Sequence, residues 1–442
     1  MFALLITGAA FISWPAGAVH ADEVVVIGGD VRARTEYKRP LNYVTADGGE
    51  PTGEDGTSLR SRVHLHWVPN EDVNVFLQLQ DSRFFGVDSV NDNADDDLDV
   101  RQAYVSLNAM ELPLFEEIGV TDAEVRVGRI GLPTFGDGYI IGSNDWEVVG
   151  PIAFEGFWLS GLFGDEEAGV DFDLLWMDFS NNDPTGGNAI GPAEDTVYWG
   201  LNVATNHVPL VNIEAYSWFL NRPKDVDELI YGWRLETEFP ESCFLHDFFG
   251  VFEYAVSGGE RGTLDVDANF WVLRGEYDFE LFDLPHTVGI GYSHATGTPG
   301  SASDDETWDA PLAESHRLLG QYDLVSNSNV NDFFVHLSVA PTERTSLDLQ
   351  YHMFTLDEED DGWETVTGGT VGAGGSILDD DLGSEIDVRF RFTPNNTVDL
   401  SLGFSLFQAG DAVEDATGGF DDDGSFVFFE MGVNFGEPPV GP

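Results

Sequence analysis

The chain has 442 residues, with 19 Lys and Arg against 80 Asp and Glu, so its formal net charge is −61. A protein this acidic is repelled by phosphate backbones, and we therefore expect no nucleic-acid partner. The hydrophobic fraction of 42% and the aromatic fraction of 13% are too high for a disordered acidic segment. The composition predicts a folded protein.

The first 21 residues contain no Asp, Glu, Lys or Arg. They form an apolar stretch ending in Ala18-Val19-His20-Ala21, and the small side chains before Asp22 fit signal-peptidase cleavage. We predict a signal peptide at 1–21, followed by one domain at 22–442. No later stretch has the roughly 18 uncharged apolar residues of a transmembrane helix. A membrane-spanning chain of this kind must form a closed β-barrel.

Alternation of apolar and polar residues recurs along the rest of the chain. In residues 59–67, Leu-Arg-Ser-Arg-Val-His-Leu-His-Trp, every even position is Arg or His and most odd positions are apolar. This period of two predicts strands with one apolar and one polar face. We predict 18 strands, at 23–37, 58–68, 72–81, 100–108, 122–129, 153–162, 169–178, 196–205, 211–220, 229–239, 248–256, 269–280, 286–295, 331–340, 345–355, 384–393, 397–408 and 424–435.

The connections between these strands alternate in length. Turns such as 69–71 and 394–396 are short, whereas the connections at 130–152, 296–330 and 356–383 are long. An even strand number with short turns at one end and long loops at the other is typical of an outer-membrane β-barrel. The fold class predicted is therefore all-β, a single transmembrane antiparallel barrel with short periplasmic turns and long acidic extracellular loops.

Several short motifs resemble those of the alginate export family of outer-membrane barrels. They are Gln80-Asp81-Ser82-Arg83, Val127-Gly128-Arg129-Ile130, Gly136 to Gly142 with Asp145-Trp146, Ser315 to Asp323, and Gly383 to Asp387. The resemblance covers nearly the whole chain after the signal peptide. It implies an 18-stranded monomeric barrel in the outer membrane of a diderm bacterium, in agreement with the strand count. It also implies a pore whose constriction is lined by arginines.

Candidate pore-lining residues lie on the polar strand faces and in these motifs. Arginines two apart on a strand, such as Arg60 and Arg62, project to the same face, and their planar forks suit carboxylate ligands. The predicted solute-binding set is Arg32, Arg34, Arg60, Arg62, Arg83, Arg126, Arg129, Arg234, Arg274, Arg389, Arg391, Asp171, Asp173, Glu236 and Asp387. The alternative is that these arginines neutralise lumen carboxylates, since acids outnumber arginines on the polar faces.

Most of the remaining acidic residues fall in the long loops. Residues 357–361 are Asp-Glu-Glu-Asp-Asp, and residues 91–95, Asn-Asp-Asn-Ala-Asp, resemble a calcium loop that has Asp96 in place of its glycine. The acidic loops are candidates for loosely bound Ca²⁺, which takes oxygen ligands. A solvated acidic rim is the competing interpretation. No other cofactor is expected.

The sequence has no catalytic signature. It lacks a His-Glu-x-x-His motif, a nucleophile elbow and a phosphate loop. His64 and His66 share a strand face but lack a third ligand nearby in the sequence, so no metal site is predicted. We predict that the protein is not an enzyme.

The leading interpretation is an outer-membrane channel of the alginate-export type. It would contact outer-membrane lipid and pass hydrophilic or anionic solutes, among them a polysaccharide, passively through a lumen of arginines and carboxylates. The second interpretation is a general porin with a mild cation preference, favoured by the acid excess. The third, from another class, is a secreted acidic β-sandwich, either an adhesin or a carbohydrate-binding protein, because a sandwich shows the same alternation.

Overall fold

The computed structural model describes most of the chain after the predicted signal peptide. The described residues are 24–40, 54–85, 98–143, 145, 152–164, 169–179, 196–208, 210–223, 226–237, 239, 242–366, 370–372, 377, 379–417, 419 and 422–436. The predicted signal peptide and the calcium-like sequence at 91–95 lie outside them.

Eighteen antiparallel strands form one sheet that closes on itself. Each barrel strand pairs with its neighbours in the chain, β15 pairs directly with β18, and β20 pairs with β1 to complete the ring. The barrel strands are β1 (Val24–Arg39), β2 (Glu54–Asn70), β3 (Val73–Phe85), β4 (Asp99–Asn108), β5 (Val120–Gly131), β6 (Ala153–Phe163), β7 (Val170–Asp178), β8 (Val197–Thr205), β9 (Val211–Arg222), β10 (Val226–Thr237), β11 (Phe248–Arg261), β12 (Leu264–Leu281), β13 (Leu284–Ala295), β14 (Val330–Thr342), β15 (Thr345–Leu356), β18 (Asp381–Asn395), β19 (Val398–Ala409) and β20 (Gly424–Gly436).

The other elements are short. The pair β16 (Trp363–Glu364) and β17 (Thr370–Val371) forms a separate two-stranded sheet. The helices are a 3₁₀ turn (Ala109–Glu111), α1 (Pro113–Glu117), α2 (Ser315–Leu318) and α3 (Asp411–Thr417). Among the described residues, none of these helices has the length and apolar character needed to cross a membrane.

The closed ring confirms the predicted fold class and strand number. The competing β-sandwich is wrong, because all barrel strands belong to one continuous sheet rather than to two packed sheets. Boundaries differ from prediction where the chain lacks clear alternation. β11 and β12 meet at the tight turn 262–263 instead of at a longer loop.

The alternation in the sequence separates an outer and an inner face. In β2, Val63 and Leu65 are exposed on the outside, whereas Arg62, His64 and His66 are buried inside. Exposed apolar side chains on the outer face are what a lipid environment requires. In β2 the buried side chains are therefore the ones that point into the lumen.

Part of the lumen is filled by an apolar cluster. Inward-facing strand residues such as Phe154, Trp218 and Phe270 pack there with loop residues Tyr139 and Trp308. The loops therefore fold into the barrel, which the alternation did not predict.

Two loop segments enter the lumen and bind each other. We call residues 132–143 together with Asp145 the first inner segment, and residues 306–325 the second inner segment. Their backbones are joined by Gly142 N to Leu312 O at 2.8 Å and by Glu314 N to Gly138 O at 2.9 Å. The two segments thus form one partition across the inside of the barrel.

The packing of Gly200 on Trp218 gives a test of this inner face. A Cβ at Gly200 would lie 1.8 Å from Cζ3 of the buried Trp218. We expect Gly200→Val to lower the free energy of unfolding by about 1–3 kcal/mol, because the ring must move within a packed core. Denaturant titration followed by heat-modifiable gel mobility measures this. The outward-facing Leu201→Val serves as the control and should change stability far less. Equal effects of the two variants would contradict the assigned faces.

Candidate solute-binding lumen

Most of the predicted set lies on the inner face of the barrel. Strand alternation and register place these residues inside: Arg32, Arg34, Arg60, Arg62, Arg126, Arg234, Arg274, Arg389, Arg391, Asp171, Asp173, Glu236 and Asp387. The period-two alternation was sufficient to assign these residues to the inner face. A shift of one residue would have moved the apolar side chains of the strand to the lumen, so the pattern fixes which face is which.

Arg83 and Arg129 are exceptions, and their prediction as pore-lining residues is wrong. Arg83 is flanked by the buried, inward Ser82 and is ion-paired with Asp81 at 2.7 Å. Arg129 lies three residues after the inward Arg126 and is ion-paired with Glu155 at 2.5 Å. An odd spacing on a strand reverses the face, so both arginines point outward.

Five of the predicted arginines converge on one cavity of about 860 Å³. They come from three strands, with Arg32 on β1, Arg60 and Arg62 on β2, and Arg389 and Arg391 on β18. Strands β14, β15, β19 and β20 and the two inner segments also line it. The contribution of the inner segments is Ser143, Asp145, Glu314, His316, Arg317 and Gln321.

Asp145 of the first inner segment contacts the cavity arginines of β1 and β2. Its Oδ1 accepts hydrogen bonds from Arg62 Nη1 at 3.0 Å and from Arg60 Nη1 at 3.3 Å. Its backbone carbonyl accepts from Arg32 Nη1 at 2.9 Å. One acidic residue thus binds arginines of two adjacent strands.

The ionised form of Asp145 is favoured by these contacts. Withdrawal from water acts to raise the pKa of Asp145, but the charges of Arg62 and Arg60 outweigh it and lower that pKa below its ordinary value. The carboxylate is therefore charged whenever the lumen is near neutral pH.

Other cavity arginines are compensated by strand carboxylates. Arg32 Nε donates to Glu430 Oε2 at 2.7 Å, and Arg60 Nη2 lies 3.6 Å from Asp30 Oδ2. On the second inner segment, Arg317 Nε donates to Glu314 Oε2 at 2.9 Å. Much of the cavity is therefore lined by ion pairs, as the competing interpretation of the arginines predicts.

The β18 arginines differ from these. Arg389 Nε donates to Ser401 Oγ at 3.1 Å, and its guanidinium lies 5.7 Å from the ring centroid of Phe428. Arg391 is exposed to the cavity and, within the part of the chain that the structure describes, its side chain forms no ion pair or hydrogen bond. Arg391 is thus the cavity arginine whose charge is least compensated.

A second group of arginines surrounds Asp137 of the first inner segment. Arg274 Nη2 donates to Asp137 Oδ1 at 2.9 Å, and Arg234 Nη2 lies 3.3 Å from the same oxygen. Arg234 also donates to Glu236 Oε2 at 2.6 Å, and Arg274 Nη1 lies 3.5 Å from Glu276 Oε1. This wall has more carboxylates than arginines.

A third group joins β5, β6 and β7. Trp158 Nε1 donates to Asp173 Oδ1 at 2.8 Å, and the guanidinium of Arg126 lies 4.7 Å from the centroid of the Trp158 ring. Arg126 also donates to Glu124 Oε1 at 2.5 Å. Asp171 occupies the same inner face two residues before Asp173. Each charge of Arg126 and Asp173 thus has a local partner.

Two predicted residues face inward but are withdrawn from the cavity. Asp387 is fully buried, and its Oδ2 accepts from the backbone N–H of Gln321 at 3.3 Å. Arg34 is also buried, ion-paired with Glu36 and placed 4.7 Å from the ring centroid of Phe428. Neither lines the cavity of about 860 Å³, and their assignment as solute-binding residues stays a prediction.

The family-like motifs of the sequence meet at the partition. Tyr322 N donates to Glu385 Oε1 at 2.8 Å, which joins the motif at 315–323 to the motif at 383–387. The motif at 136–142 contacts Glu314 of the second inner segment. The functional residues missed by strand analysis, Asp137, Asp145, Glu314 and Arg317, lie in or beside these motifs. The sequence feature that could have identified them is the motifs, because the apolar–polar alternation of strands gives no information on loop residues.

No group of three or more His, Cys, Asp or Glu within the described ranges is arranged to hold a metal ion. The acids at 357–361 have other contacts. Asp357 accepts from Gly297 N at 3.0 Å, Asp361 from Thr298 N at 3.0 Å and Asp360 from Gly300 N at 3.2 Å. These carboxylates tie one long loop to another. Calcium binding at the acidic loops stays a prediction.

The sequence matches the alginate export family over residues 24–176 and 213–424. No curated protein sequence matches the chain. Among solved structures it is similar to Pseudomonas aeruginosa OccK11 (OpdR), with TM-score 0.55 and 13% identity over 93% of this chain and 96% of that one. Acinetobacter baumannii OccAB1 gives TM-score 0.56 and 14% identity over 92% and 97% of the two chains. At these identities the structural likeness shows the fold.

Barrel, lumen and comparisons together define an outer-membrane β-barrel channel. Its exposed outer face contacts the lipid of that membrane. More specifically, the chain belongs to the alginate export family.

The lowered pKa of Asp145 gives a pH test of the site. Because this pKa lies below the ordinary aspartate value of about 3.9, the ion pairs with Arg62 and Arg60 stabilise the fold above that pH and are lost as pH falls through the lowered pKa. Infrared difference spectra between wild type and Asp145→Asn isolate the carboxylate band. We expect a titration midpoint below about 3.9. A midpoint above that value contradicts the assigned contacts.

Proposed function

We propose that this channel passes hydrophilic solutes bearing carboxylates, with Arg391 as the principal contact of the cavity. The observation that carries the proposal is the uncompensated charge of Arg391, in a lumen where most of the other arginines are ion-paired. An arginine without a carboxylate partner retains its donors for a solute.

The surroundings of Arg391 suit an oxygen-rich solute. Ser346, Thr393 and Ser401 line the same cavity and supply hydroxyl groups, and Gln350 supplies an amide. The volume of about 860 Å³ lies in the range of about 300–1,000 Å³ that small-molecule sites occupy. A sugar carrying a carboxylate, either free or as one unit of a polysaccharide, combines the groups that this wall binds.

We further propose that passage is passive and that the barrel acts as a monomer. The described ranges contain no phosphate-binding loop that would supply energy. The ring of strands is completed within one chain, so the lumen needs no second copy.

A second candidate is a general porin with a mild cation preference. The wall around Asp137 favours it, because Arg234 and Arg274 face Asp137, Glu214, Glu236 and Glu276. A path along that wall would present negative charge to the solute. The two candidates predict opposite signs of selectivity.

The reversal potential in asymmetric KCl distinguishes them. We expect wild type to show anion preference and Arg391→Ala to reduce the chloride-to-potassium permeability ratio, by about fivefold, which corresponds to about 1 kcal/mol for charges 4 Å apart in water. Arg83→Ala is the matched control, because Arg83 lies on the outer face. A cation-selective wild type, or an unchanged ratio in Arg391→Ala, would contradict the proposal.

A further inference from the structure

Asp145 occupies an arginine site that resembles a site for a solute carboxylate. We propose that Asp145 is a tethered competitor: a solute carboxylate displaces it from Arg60 and Arg62, and the first inner segment then moves away from β2. This inference rests on the proposed passage of carboxylates and adds a regulation of the same cavity.

The contacts of Asp145 are those expected for a bound ligand. Within the described residues, every hydrogen bond of its side chain and carbonyl is donated by Arg32, Arg60 or Arg62. Its side chain is 56% exposed and lines the cavity. A solute in the cavity can therefore reach these arginines by exchange with Asp145.

The arginine site has more donors than Asp145 uses. Arg62 Nη2 is buried without a hydrogen-bond partner, although Arg62 Nε donates to Gln80 Oε1 at 2.7 Å. Nearby Arg101 donates from Nη2 to the carbonyl of Ile152 at 2.8 Å, while its Nε and Nη1 are buried without a partner. These buried donors leave positive charge beside the carboxylate of Asp145 that no hydrogen bond of theirs offsets.

The number of charged side chains around Asp145 also favours binding of a solute carboxylate. Arg32, Arg60, Arg62 and Arg101 carry four positive charges, while Asp30, Asp145 and Glu430 carry three negative ones. Removal of Asp145 from the site leaves two net positive charges. A solute carboxylate that takes its place restores the balance that Asp145 provided.

The attachment of the first inner segment permits this exchange. Upstream of Asp145, Ser143 Oγ donates to Glu314 Oε1 at 2.9 Å, and Gly142 N donates to Leu312 O at 2.8 Å. These bonds hold the segment to the second inner segment rather than to β2. Displacement of Asp145 therefore breaks its arginine contacts without dismantling the partition.

Competition has a measurable consequence. The apparent affinity for a solute carboxylate equals the intrinsic affinity multiplied by the fraction of channels in which Asp145 is detached. Removing the charge of Asp145 therefore strengthens carboxylate binding, whereas removal of an ordinary structural ion pair would weaken or distort the site.

The test uses the full-length barrel in planar bilayers, with D-glucuronate as the probe and glucose as its uncharged counterpart. We expect Asp145→Asn to lower the concentration of glucuronate that halves the ion current by about tenfold, the gain for a site occupied by its competitor for about 90% of the time. The response to glucose should not change. Asp145→Glu, which keeps the charge, should not show this gain.

Three further variants keep the test decisive. Asp81→Asn removes an outward carboxylate and should leave the glucuronate response unchanged. Asp145→Ser replaces Asp145→Asn if the latter lacks heat-modifiable gel mobility. Asp145→Asn combined with Arg62→Ala should lose the gained affinity, because the displaced site is then incomplete.

An unchanged or weaker glucuronate response in Asp145→Asn overturns the inference, as does a double variant that keeps the gain. These outcomes are distinct from failure of the proposed function. If Arg391→Ala leaves selectivity unchanged while Asp145→Asn tightens glucuronate binding, the assignment of Arg391 fails and the competitor role of Asp145 stands.

Discussion

An arginine withdrawn from bulk water needs a carboxylate beside it, and this constraint organises the interior of the barrel. Loss of one partner would leave an uncompensated charge, which costs far more than the pair gains. The strands supply some partners, such as Glu430 for Arg32. The loops supply others, because Asp137 and Asp145 enter the lumen and bind arginines of opposite walls. The need to compensate the lumen arginines therefore also determines where the loops lie inside the barrel.

The same constraint explains how an acidic protein can present a site for anions. Most lumen arginines form ion pairs with carboxylates of the barrel strands or of the inner segments. Arg391, at the end of the β18 pair, has no such partner among the described residues. Because Arg391 lies in a cavity lined by hydroxyl groups, a carboxylate of a solute can pair with it as the protein carboxylates pair with the other arginines. Net charge alone would have assigned this lumen to cations.

The strands could be predicted from the sequence because a barrel wall between lipid and lumen imposes a period of two. Arg60, Arg62, Val63 and Leu65 show that period and lie on the expected faces. Arg83 and Arg129 were misplaced because motif membership, rather than register, selected them. The roles of Asp137 and Asp145 could not be predicted, since a loop residue is positioned by tertiary contacts that alternation does not encode. The inward aromatic residues Phe154 and Trp218 were missed for the same reason, because their partners are loop side chains.

The central claim is that Arg391 is the cavity arginine whose positive charge is least compensated. Crystals of the wild-type barrel soaked in sodium bromide test it most directly, since anomalous scattering locates bound anions. The account predicts a bromide peak beside the Arg391 guanidinium and none beside Arg234 or Arg274. A peak between Arg234 and Arg274, with none at Arg391, would contradict it.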